Sequence, residues 1–160
     1  MDWKTLFLTA DGRIGKRDFW IGFLIVFVGT MALSMVPVLG GLAVLASHYP
    51  TICLTSKRLH DFGRSGWLSA VPYALAFVTL IVGALTGGMA LLGIVVASET
   101  AAAGAAMAGL GLFSALIGLT SLIWFGFLLW VGLTNGEVNE NRYGPPPVSL
   151  IGGASPPTVA

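Results

Sequence analysis

His60 and Asp61 are the adjacent pair best suited to chemistry in this chain. An imidazole beside a carboxylate can exchange protons near neutral pH. Ser65 lies close by in sequence, and Cys53 stands about two helical turns upstream. Nucleophilic catalysis needs a hydroxyl or thiol held against its base and a pocket for the developing oxyanion; the spacing implies neither. A metal site needs three or four ligands, whereas this region offers one His with scattered Asp and Glu. His48, inside an apolar segment, is a second candidate, because ionisable groups at membrane depth serve ion or proton pathways. Asp61 reads as structural. Arg58 precedes it at i−3 on the same helix, and Arg13 or Arg17 is the expected bidentate partner from an earlier one. A non-enzymatic protein without metal or cofactor is therefore the expectation, and an enzyme using His60-Asp61 is an alternative.

The stretch that carries this pair, Lys57 to Trp67, is a polar island in an apolar chain. From Phe19 to Ser56 there is no Asp, Glu, Lys or Arg, and from Trp67 to Asn135 only Glu99. Hydrophobic residues make up 56% of the chain and charged residues 9%, against about 25% charged in soluble domains. A water-soluble fold of 160 residues could not hide so much apolar surface, so the chain reads as a membrane protein. No basic face is long enough to track phosphates, which excludes nucleic acid as a partner. The single Cys53 excludes an intrachain disulfide.

The elements follow from these runs. Trp3, Leu6 and Phe7 share a helical face, which predicts a short interfacial helix. The polar start up to Asp18 and the length of the run after it predict a retained first span, not a cleaved signal. Four spans are expected, at about 19–39, 42–59, 67–94 and 110–133. Pro37 and Gly40-Gly41 mark the first turn, and Pro50 predicts a kink in the second span. Gly83 and Gly87, and later Ala101, Ala105 and Gly109, place small residues where helix backbones approach closely. Every Lys and Arg falls before Phe19, in the island, or at Arg142. Four spans put them all on one side, with Glu99 in the outer turn, and the positive-inside rule then places both termini in the cytoplasm. The fold class is all-α: a polytopic bundle of about four transmembrane helices forming one domain over 1–147. A disordered tail is expected over 148–160, after Pro145-Pro146-Pro147.

Three polar clusters share the cytoplasmic face in this topology. They are Gly12-Arg13 with Arg17-Asp18-Phe19-Trp20, Lys57-Arg58-Leu59-His60-Asp61 with Gly63-Arg64-Ser65-Gly66-Trp67, and Asn141-Arg142-Tyr143-Gly144-Pro145 with Pro147. In this order they resemble the three motifs of the small bacterial inner-membrane proteins grouped as domain of unknown function 805. The resemblance runs from about Leu6 to Pro147. It implies an all-helical domain of about four spans in the bacterial inner membrane, and no known activity. Two features depart from the pattern: the apolar stretch from Gly87 to Gly111 is longer, and Asn139 stands where the last motif has a second glycine.

The expected function is an integral membrane protein whose cytoplasmic polar surface recognises an anionic lipid head group or an acidic partner segment. Its candidate residues are Arg13, Arg17, Arg58, His60, Arg64, Trp67, Asn141, Arg142 and Tyr143, with Asp61, Arg13 and Arg17 in a structural ion pair. Arg64 leads them, because glycines flank its turn and backbone amides there can face an anion. Membrane lipids are the expected partners, together with a second copy of the chain or another membrane protein. A small oligomeric transporter or channel component, using His48, is the other alternative.

Overall fold

The computed structural model describes residues 3–96 and 99–147, with the side chains of 88–96, 99 and 102 outside the description. The predicted tail over 148–160 also lies outside the described residues. Five α-helices follow in order: α1 (Trp3–Leu8), α2 (Lys16–Ser34), α3 (Leu39–Asp61), α4 (Ala70–Val96) and α5 (Glu99–Leu133). A short 3-10 turn, Gly66–Ser69, precedes α4. Among the described residues there is no strand, only an isolated bridge between Asn141 and Gly144.

Three stretches are long and apolar enough to cross a membrane: Lys16–Ser34, Gly66–Gly87 and Ala103–Leu133. The helix α3 covers the expected second span but is not among them. Its 23 residues include Ser47, His48, Tyr49 and Thr51 in the middle and Lys57, Arg58, His60 and Asp61 at the end. Hydroxyls on this helix fold back on its own carbonyls, as with Thr51 to Ser47 (2.7 Å) and Thr55 to Thr51 (2.8 Å). That satisfies the polar groups locally and leaves the helix less apolar than its neighbours.

The chain divides into two compact units. One comprises the described residues up to Ser69 together with those from Leu129 onward; the other is Ala70–Leu128. In the first unit α2 and α3 pack side by side, and α1 lies against α3. Their turn falls at 35–38, where Val38 takes φ 68°, a strained value for a β-branched residue. Gly40 then starts α3 against Ser34, where an added Cβ would stand 3.0 Å from the Ser34 Cα. Farther along, Gly22 admits the Leu54 side chain. The apolar core is small: Leu6, Ile14, Phe19, Cys53, Leu54, Leu59 and Val131. Most large apolar side chains of α2 point outward, among them Leu24, Phe27, Val28 and Met31. Lipid is a solvent that tolerates such a surface; water is not.

In the second unit α4 pairs with the preceding part of α5 in antiparallel register. Tyr73 meets Trp124 edge-on (5.6 Å), and the hydroxyls of Thr79 and Thr120 are 2.8 Å apart. Gly83 opens space for the Phe113 ring, which a Cβ would approach to 2.3 Å, and a Cβ at Gly109 would reach ordinary contact with Thr86 at 3.5 Å. Gly87 faces open space, so the predicted glycine pair contributes one close approach, not two.

Candidate functional site

The three polar clusters meet in the first unit, at the end of α3. The arrangement starts from helix limits. Because α2 begins at Lys16, Arg13 lies in the extended segment before it and is free to turn inward. Arg17 sits within the first turn and is exposed, while Asp18 and Phe19 beside it are buried. The expectation that either Arg13 or Arg17 could pair with Asp61 from a helix assumed a helix through both. Only Arg13 reaches Asp61, and Arg17 is outside the ion pair.

Asp61 is 3% exposed and divides its carboxylate between two arginines. Oδ1 accepts from Nε and Nη2 of Arg13, at 3.2 and 3.1 Å. Oδ2 accepts from Nη1 of Arg58. The remaining guanidinium donors go to backbone carbonyls. Arg13 reaches Asn139 (2.9 Å), Gly144 (3.1 Å), Glu137 and Asp61 itself (3.2 Å). Arg58, fully buried, reaches Val131 (3.2 Å), Ile14 (3.3 Å) and Thr134. Two side chains thus fasten the entry to α2, the end of α3, the end of α5 and the segment 134–144 together. Burial pushes the Asp61 carboxyl above its ordinary value, while Arg58 and then Arg13 pull it down.

A second layer covers this core. His60 donates from Nδ1 to the Gly12 carbonyl (3.1 Å), and its ring stacks on Tyr143 with centroids 3.8 Å apart. Burial lowers its pKa most; the Gly12 bond and Asp11 oppose this, and Arg142 adds to it. Asn141 Nδ2 donates to the His60 carbonyl (3.0 Å) and to Glu137 (2.6 Å), while its own Oδ1 accepts from the Tyr143 amide (2.9 Å). Arg142 lies 4.8 Å over the Tyr143 ring and donates to the Gly63 carbonyl (3.1 Å). Gly63 is required twice: its φ is +73°, and a Cβ would stand 2.5 Å from Glu137 Oε1. The Asp61 carboxylate faces the two arginines, whereas the His60 imidazole faces Gly12 and Tyr143.

Of the residues expected at a binding surface, Arg13 and Arg58 are therefore interior, where backbone carbonyls and Asp61 take up their donors. Arg17, Arg64 and Trp67 are exposed, and Trp67 is 85% so. Among the described residues the guanidinium groups of Arg17 and Arg64 make no hydrogen bond or ion pair, whereas Lys16 donates to Asn135 (2.6 Å) and the Arg64 amide donates to the Leu59 carbonyl (2.9 Å). Ser65 starts the turn into α4, with its carbonyl accepting from the Leu68 amide (3.1 Å). His48 donates to the Val44 carbonyl of its own helix (2.6 Å). Sequence reasoning missed Gly136, where a Cβ would stand 2.0 Å from Asp61 Oδ2, and Glu137, whose amide donates to the Asp61 carbonyl (2.8 Å). It also missed Tyr49, whose hydroxyl donates to the Leu8 carbonyl (2.8 Å).

No solved structure matches the chain. The uncharacterized protein YiiR of Escherichia coli, in strains K12 and O157:H7, is 36% identical over 84 residues, 48% of this chain and 53% of that protein. The chain spans about half the length of these curated relatives. A family model described as protein of unknown function, DUF805, matches residues 7–145, which takes in all three clusters at the Asp61 site apart from Pro147: the chain belongs to the DUF805 family.

Proposed function

We propose that this chain is a non-enzymatic, multi-pass protein of the bacterial inner membrane that presents Arg17, Arg64 and Trp67 to anionic lipid head groups. In this reading α3 is a fourth crossing, its polar residues satisfied within the helix, and both termini and the Asp61 cluster are cytoplasmic. The observation that carries it is the division of labour among the cations. Arg13, Lys57 and Arg58 are buried and committed to internal partners, whereas Arg17 and Arg64 are exposed, with no partner for their guanidinium groups among the described residues. Trp67 stands near Arg64 in the turn that leads into α4, and an exposed tryptophan beside a cation suits the head-group layer. A basic residue there gains about 1 kcal/mol from anionic lipid. The buried cluster then has a supporting role: it fixes the loop that carries Arg64. The engagement of His60 with Gly12 and Tyr143, away from the Asp61 carboxylate, supports the non-enzymatic reading.

Native mass spectrometry of protein released from mixed anionic and zwitterionic lipid tests this. The wild type should retain anionic lipid, and the Arg17→Ala/Arg64→Ala variant should lose most of it. Equal retention by both would refute the assignment.

A further inference from the structure

We infer that α1 is a wedge sunk among lipid acyl chains on the Asp61 side of the membrane, held there by Lys57 and Tyr49 of α3. The inference rests on the reading that α2 crosses the bilayer. It starts from an expensive placement. Lys57 is 1% exposed, and its ammonium donates to the carbonyls of Thr5 and Leu6. Tyr49 donates to the carbonyl of Leu8 (2.8 Å), and the Thr9 hydroxyl adds a bond to that of Thr5 (2.9 Å). These carbonyls belong to the last turn of α1, where a helix leaves its acceptors open. In water, solvent fills such acceptors, and burying a lysine to do so would forfeit its hydration. In hydrocarbon no water arrives, and protein groups must meet each one. The donors are placed as the second case requires.

Depth follows from register. With Gly22 against Leu54, Phe19 stands at about the level of Lys57 and Phe27 at about that of Tyr49. Lys57 and Tyr49 are about 12 Å apart along α3. The C-terminal carbonyls of α1 are therefore tied between the start and the middle of the apolar run of α2. Surface chemistry agrees. Leu24 and Phe27 of α2 and Leu45 of α3 are exposed, and α1 adds Trp3 (48%) and Leu8 (55%), with Lys4 and Thr5 its exposed polar residues. Leu6 plugs the helix into the unit at 0% exposure, and Trp3 stacks on Phe7 at 5.9 Å. The partner this surface fits is the acyl region of one leaflet.

Spin labelling in lipid vesicles decides the matter. In a Cys53→Ala background, labels are placed through Leu8→Cys, Leu122→Cys and Val138→Cys, all at exposed positions. Accessibility to oxygen, which partitions into hydrocarbon, is compared with accessibility to a water-soluble nickel complex. The Leu8 label should favour oxygen as the Leu122 label does, with Val138 favouring nickel. A Leu8 label matching Val138, while Leu122 favours oxygen, would overturn the wedge and leave the membrane reading standing. A Leu122 label favouring nickel would overturn the membrane reading, and the wedge with it. Adding Tyr49→Phe or Lys57→Met should shift the Leu8 label toward the Val138 value. No shift with either would overturn the holding role.

Discussion

Arg58 offers the sharpest test of how the site is held. It is fully buried and donates to Asp61 and to three carbonyls, those of Val131, Ile14 and Thr134. Arg58→Met keeps a flexible stem of intermediate length and removes every donor. Removing one partner of a buried ion pair costs up to about 3–5 kcal/mol, and less here because Arg13 still holds Asp61 Oδ1. Each buried carbonyl left without a donor adds about 1–3 kcal/mol. Together these rival the about 5–15 kcal/mol that holds a domain folded. Arg58→Met should therefore fail to accumulate as folded protein. Arg58→Lys keeps the charge but replaces a planar fork by a point, so it cannot span acceptors on three segments at once. It should fold with a loss of about 2–3 kcal/mol, from one or two carbonyls left open. Arg64→Met, at an exposed position, should stay within about 0.5 kcal/mol. Unfolding in mixed detergent micelles, followed by circular dichroism, measures all three. An Arg58→Met protein within about 1 kcal/mol of wild type would show a solvated surface pair instead.

Three further outcomes are expected. Gly136→Ala forces a methyl toward the pinned Asp61 carboxylate and should destabilise by about 1–3 kcal/mol in the same assay, whereas Gly87→Ala, facing open space inside a helix, should be neutral or stabilising. The fold lowers the His60 pKa, so below about 6.5 the unfolded chain binds more protons than the native one. Stability is then fully present above that value and falls as pH drops; a pH titration should show this slope reduced in His60→Gln, and an unchanged slope would refute it. In the proposed topology Ser65→Cys should resist a membrane-impermeant maleimide in intact cells while Thr100→Cys reacts, and the reverse pattern would invert that topology.

Much of the helix pattern was legible because charge is so unevenly spread. The silence between Phe19 and Ser56 announced α2 and α3, and the one between Trp67 and Asn135 announced α4 and α5. The pairing of Arg58 with Asp61 was legible from helical spacing. The fate of Arg13 and Arg17 was not, since a helix through both would have put them on one face, and α2 begins only at Lys16. Nor did Gly136 or Glu137 stand out: their importance comes from Asp61, more than seventy positions earlier, and local sequence carries no trace of that proximity. Lys57 misled for a related reason. It reads as one more cation of a basic island, and only the location of α1 turns it inward.

The same residues that look like a recognition motif in the sequence thus serve chiefly as cross-links to backbone. Of the carbonyls met by Arg13, Arg58, Lys57 and Tyr49, those of Ile14, Thr134, Glu137, Asn139 and Gly144 lie outside helices and those of Thr5, Leu6 and Leu8 end one. Irregular backbone buried within the unit cannot pair with itself as a helix does, and solvent reaches it incompletely. Guanidinium and ammonium groups carry several donors on long stems, so few residues can satisfy many acceptors there. An apolar core would be cheaper by desolvation alone, but it would leave those carbonyls open. This explains why the three polar clusters, far apart in the chain, are rich in arginine and glycine together. Arginine supplies the donors, and the missing side chains at Gly63 and Gly136 leave room for the Glu137 and Asp61 carboxylates.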